Sequence, residues 1–90
     1  MKHVTADRFW KSFRDLPYEI QLLANKKFEF FQENPHHPSL RTKKMEGKEG
    51  VWEGHVTKGY VFTFRYEIID GEKVIESLDI GPHDLVYDRA

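Results

Sequence analysis

The hydrophobic positions of this chain change period once, near Pro38. Before that point they recur at helical spacing. Phe9, Phe13 and Leu16 mark a first helix, over roughly 5–15, with Thr5 as its N-cap and Asp7 in its first turn. Leu16-Pro17 stops it. A second helix, over roughly 18–34, carries Ile20, Leu23, Ala24, Phe28 and Phe31 on one face, spaced 3, 1, 4 and 3. Pro35 disfavours helical geometry in Asn34 and sets the end. The link is short, so the two helices form an antiparallel hairpin.

Beyond Pro38 the period is two. The spacing predicts strands at Leu40–Met45, Val51–Thr57, Tyr60–Ile69 and Lys73–Ile80, with turns at Glu46–Gly50, Lys58-Gly59 and Asp70–Glu72. Lys2–Val4 is long enough for a short edge strand. Leu40 and Met45 have opposite parity, so that strand is ambiguous. In the clearest strand Tyr60, Phe62, Phe64, Tyr66 and Ile68 point one way, and Val61, Thr63, Arg65, Glu67 and Ile69 the other. The expected fold is α+β: an N-terminal two-helix hairpin packed on one face of a mainly antiparallel four- to five-stranded sheet. Trp52, Phe62, Phe64, Leu78, Leu23 and Phe28 are expected to be buried together.

Composition narrows the class. Ninety residues, with no repeat or low-complexity tract, read as a single domain over 1–90. A 39% hydrophobic and 14% aromatic content is too high for a disordered chain. The absence of cysteine excludes disulfides and thiolate metal sites. No apolar run reaches the length of a membrane span and the start lacks a signal peptide's apolar stretch, so the expected location is cytoplasmic. Fourteen basic against fifteen acidic residues give a net charge of −1, which disfavours nucleic-acid binding driven by bulk charge.

Candidate chemistry gathers on the sheet face away from the aromatic one. That face is expected to carry Glu53, His55, Val61, Thr63, Arg65, Glu67, Ser77 and Asp79, with His83, Asp84 and Tyr87 in the tail beside it. Such a set can supply a general acid, a general base and a cation for phosphate charge. From spacing alone, a merely solvated polar face is the commoner origin of such a cluster. His36-His37 between prolines reads as a rigid loop before it reads as a metal site. Arg41, Lys43 and Lys44, with Lys48 nearby, can touch phosphate or simply guard a sheet edge.

Taken in order, several of these segments resemble the RelE/ParE superfamily of bacterial type II toxins, and more closely its RelE-like cytotoxic translational repressors. They are Phe9-x-x-x-Phe13 to Leu16-Pro17, Asn34-Pro35-His36-His37-Pro38-Ser39-Leu40, Lys43-Lys44-Met45-Glu46-Gly47, Val51-Trp52-Glu53, Gly59-Tyr60 and Ile80-Gly81-Pro82-His83-Asp84-Leu85-Val86-Tyr87. The resemblance implies a ribosome-dependent mRNA endoribonuclease that needs no metal or small-molecule cofactor and is restrained by a cognate antitoxin protein. Its partners are then the antitoxin, the ribosome and mRNA, with no membrane. By match to family positions Glu53 is the base, His55 a further strand position, His83 an acid or phosphate ligand, and Tyr87 a stacking group. Arg41, Lys43, Lys44, Lys48 and Lys58 are the RNA-binding set. Relatives commonly have Arg directly after the Gly-Tyr pair, where this chain has Val61. Arg65 is the substitute cation on the same strand, about 13 Å away. The resemblance leaves two other readings: a ParE-like non-nuclease toxin acting on DNA gyrase, and a degenerate toxin that keeps only antitoxin binding. Val61 and Ile69 on the open face, and the groove of the helical hairpin, are the expected antitoxin docking surfaces.

Overall fold

The computed structural model describes residues 1–90. The chain runs β1 (Lys2–Thr5), α1 (Asp7–Arg14), α2 (Tyr18–Glu33), a 3-10 turn (Pro38–Leu40), β2 (Lys43–Lys44), β3 (Val51–His55), β4 (Tyr60–Ile69), β5 (Glu72–Pro82) and α3 (His83–Arg89). The strands form one sheet in the order β1-β5-β4-β3-β2, with β1 parallel to β5 and every other pair antiparallel. No helix is long and apolar enough to cross a membrane.

The aromatic face of the sheet meets the helical hairpin as its alternation requires. Phe62, Phe64, Ile75 and Ile80 pack with Phe9, Leu16, Ala24, Phe31 and Leu40 in one buried cluster, and Phe28 and Trp52 lie against it, half-buried. Phe62 sits among the rings of Phe28, Phe31 and Phe64. Its own ring lies across Gly54 on the neighbouring strand, where any Cβ would overlap it. Glycine is therefore required in the middle of β3, where propensity alone disfavours it.

Four local expectations are corrected. Leu23 is 41% exposed, because α2 turns Ala24 and Phe31 to the sheet and leaves Leu22 and Leu23 outside. Thr5 belongs to β1, and the α1 N-cap is Ala6, without a side-chain cap. Leu40 is not in a strand. It is buried in the 3-10 turn, and Arg41 follows in the left-handed region at φ 51°, so β2 begins only at Lys43 and the parity conflict with Met45 disappears. Finally, β4 and β5 slip register between Thr63 and Phe64: Thr63 faces Asp79 but Phe64 faces Ser77. Leu78 is the extra residue of that bulge. It lines the second face with Thr63 and Val86, while Ser77 turns to the helical side. A bulge inverts side-chain parity beyond it, which strict alternation does not anticipate.

The second face is not open. After β5 the chain forms α3, which packs back on β4 and β5. Val61 and Thr63, expected to be exposed there, are buried, as are Val86 and Met45. The helix is pinned at both ends. The His83 amide donates to the Gly59 carbonyl at 2.9 Å. Arg89 grips buried Asp79 through two hydrogen bonds of 2.9 and 3.1 Å and reaches Ser12 of α1 at 3.4 Å. Replacing Arg89 with Ala leaves the Asp79 carboxylate buried without its cation. The expected cost is about 2–3 kcal/mol, less than for a fully buried pair because Arg89 is partly solvated. Urea unfolding checks it: a loss below about 0.5 kcal/mol would mean that α3 is held by something else.

Candidate functional site

The sheet register brings the site together. Glu53 is central in β3, with Lys43 of β2 directly opposite on one side and Thr63 of β4 on the other. Alternation points Trp52 and Gly54 to the helical hairpin and Glu53 and His55 to the second face, beneath α3. The Glu53 side chain is 0% exposed, and neither carboxylate oxygen has an aligned hydrogen-bond donor. Lys43 Nζ lies 3.2 Å from Oε1, but its own side chain is 65% exposed, so the ion pair has one buried and one solvated member. A buried carboxylate this poorly partnered is costly, and native structures keep few such groups.

Helix α3 supplies the other groups. His83 and Tyr87 are one turn apart, and their rings stack at 4.3 Å and 25°. Tyr87 reaches over Glu53. Burial first, then a loose hydrogen-bonding contact with the Glu53 carboxylate and its negative charge, with a smaller contribution from Glu46, push its phenol up to about 12; the contact is too poorly aligned to satisfy the carboxylate. At neutral pH the phenol is therefore a proton donor and cannot act as a base. The raised value also makes a stability prediction. Protonated Tyr87 favours the folded state below its ordinary value of 10.0, and this contribution is lost as pH climbs towards about 12. The unfolding free energy of wild type minus that of Tyr87→Phe should decline across that window. A difference that stays flat with pH would remove the phenol from the carboxylate.

Other candidates lie elsewhere. His55 shares the Glu53 face and has a buried Nδ1 without a partner. Arg65 is held by Glu67 at 2.8 Å and Glu76 at 3.0 Å, and it stands opposite Val51, two pairs beyond Glu53. Lys48 is exposed in the β2–β3 loop, Lys58 at the tip of the β3–β4 turn, and Arg41 beside the 3-10 turn. Lys44 points to the opposite side from Lys43 and covers the Trp52 ring at 5.7 Å. His36 and His37 serve separate partners. His36 bonds Tyr66 and Thr42, while His37 accepts from the Ser39 amide and stacks on Phe30. Sequence reasoning did not find the Lys43–Glu53 pair or the Asp79–Arg89 anchor. The first depended on the register of a two-residue strand, the second on a helix with little amphipathic signal.

No family model and no curated protein matches this chain. Solved structures do. The toxin–antitoxin complex RelB–RelE from Methanococcus jannaschii contains a chain that superposes with a TM-score of 0.71 at 17% identity, covering 96% of each chain. A YoeB/ParE toxin from Agrobacterium tumefaciens gives 0.70 at 17% identity, covering 92% of this chain and 99% of that one. A variant of the E. coli toxin RelE in the free state gives 0.65 at 21% identity, covering 99% and 92%. At these low identities the likeness is one of fold, and this chain has the RelE/ParE-like toxin fold.

Proposed function

We propose that this protein is the toxin of a toxin–antitoxin pair and inhibits translation by metal-independent, ribosome-dependent cleavage of mRNA. The observation that carries the reading is the Glu53 carboxylate, buried without an aligned donor and flanked by Lys43 and by Tyr87, on which the His83 ring stacks. In the reaction Glu53 takes the proton of the 2′-OH, whose oxygen attacks the adjacent phosphorus. The bond from phosphorus to the 5′-oxygen breaks, and His83 protonates that oxygen. Lys43 neutralises the phosphorane, and Tyr87 donates to a phosphate oxygen or stacks on a base. This assignment uses Lys43 as the cation, since Arg65 is engaged by Glu67 and Glu76. Because Glu53 is covered, α3 must tilt away for the phosphate to enter. The second partner is a small antitoxin protein, the partner found in complexes of the matching fold.

One observation favours a second reading. With Val61 and Glu53 both closed beneath α3, the chain fits a degenerate toxin that keeps only antitoxin binding. Induced expression followed by primer extension on a reporter mRNA separates the two. Cuts at ribosomal A-site codons support the nuclease. A growth defect with intact mRNA and blocked gyrase points to the ParE-like activity, and no growth defect leaves the antitoxin-binding module.

A further inference from the structure

The sheet edge at β2 divides its two lysines between opposite faces, Lys43 to Glu53 and Lys44 to Trp52. The Trp52 side opens into a broad groove of about 790 Å³ that lies outside the site described above. Its floor is Trp52 and Tyr66, set edge to face with ring centroids 6.4 Å apart. His36 holds the Tyr66 ring, stacked on it and hydrogen-bonded to its hydroxyl at 2.7 Å. Lys44 lies over Trp52 and Lys73 over Tyr66 at 5.0 Å, and Lys48 stands on the loop wall with Glu49. Glu46 of the same loop acts on Tyr87, on the far side of the sheet, so the groove keeps more positive than negative charge.

We propose that this groove binds single-stranded RNA, stacking an unpaired base on Trp52 and holding the flanking phosphates with Lys44 and Lys48. Aromatic faces overlain by lysines suit that ligand, since every base has a stacking face and every nucleotide a phosphate. A duplex does not fit the arrangement, because its bases are already stacked on one another. Lys44 is exposed on a flexible stem, so it can leave the indole for a phosphate as the base takes its place. The two-residue β2 is a sheet edge, so one strand of RNA can pass round it from the Lys43–Glu53 side to the Trp52 side. The proposal deepens the nuclease reading by giving its substrate a second contact, but it concerns binding by the free protein and is tested without the ribosome.

Trp10→Phe leaves Trp52 as the sole indole, since the chain has two tryptophans. Titrating that protein with a short unstructured oligoadenylate should quench Trp52 fluorescence saturably, and the same sequence in a duplex should not. Adding Lys44→Glu and Lys48→Glu should weaken binding on the order of tenfold or more at low salt, and should flatten the salt dependence by about 0.7 log unit per lysine. Both lysines are exposed, so thermal unfolding of the variant should match its parent. Absence of quenching, equal quenching by the duplex, or indifference to the charge reversals would each overturn the groove. If oligoadenylate binds as described while ribosome-bound mRNA stays intact, the groove stands and the proposed cleavage activity does not.

Discussion

Glu53→Gln is expected to abolish most cleavage while making the protein more stable. In the proposed mechanism the carboxylate is the general base, a role worth on the order of 10²–10⁴ in rate that a neutral amide cannot fill. The stability change has the opposite sign because of what surrounds Glu53. Its oxygens are buried without aligned donors, and the one cation nearby keeps most of its side chain in water. An amide of the same shape removes a desolvated charge and loses only a weak ion pair. A gain of roughly 1 kcal/mol would raise the melting temperature of a domain this size by about 4–8 °C. His83→Gln should lower single-turnover cleavage on the same ribosome–mRNA complex comparably, with no matching gain in stability. The double substitution should cost little more than either single one, as for groups that act as a unit. A stability loss at Glu53→Gln would mean that the carboxylate is a structural partner of Lys43. Unchanged cleavage at either position would remove that residue from the mechanism.

The parts of this fold that obey one period over many residues were readable from the sequence. In β4 large apolar residues hold every second position from Tyr60 to Ile68, and α2 keeps an apolar stripe up to Pro35. What escaped reading was set by contacts between segments. The bulge at Leu78 depends on how β5 pairs with β4, and nothing within β5 marks it. The seven-residue α3 has one fully buried side chain, Val86, so no amphipathic stripe announces it. It follows Pro82, which reads as the end of a strand but here serves as the helix N-cap. Missing α3 turned a covered sheet face into an open one. The resemblance placed Glu53, His83 and Tyr87 in one site; in the structure the His83 ring stacks on Tyr87, and Tyr87 in turn feels the Glu53 carboxylate. The resemblance could not foretell that Glu53 would be sealed beneath α3, a helix tied to the sheet by the Asp79–Arg89 pair.

The same cover reverses the expectation for Val61. If the face were open, Val61→Arg would restore a cation beside the reacting phosphate and raise the rate. In the folded chain Val61 is 0% exposed and pairs with His55 on one side and Gly81 on the other. Val86 and Arg89 of α3 press on the Gly81 backbone, within 3.4 Å of where a Cβ would stand. A guanidinium introduced at Val61 must therefore remain desolvated beneath α3, reach the Glu53 carboxylate on the same face, or lift the helix. The first is the most costly. The second still needs room for four more heavy-atom bonds of side chain in a packed layer, and overpacking alone costs roughly 1–3 kcal/mol. The third breaks the His83 and Arg89 anchors. The expected result is a loss of at least about 3 kcal/mol in urea unfolding, together with loss of the His83–Tyr87 stack. Val61→Ala, which removes volume without adding charge, should cost less, about 1–3 kcal/mol. Val61→Arg within about 0.5 kcal/mol of wild type would show that α3 yields easily. In that case the second face is accessible to substrate in solution, and a higher cleavage rate in that variant would follow from the regained cation.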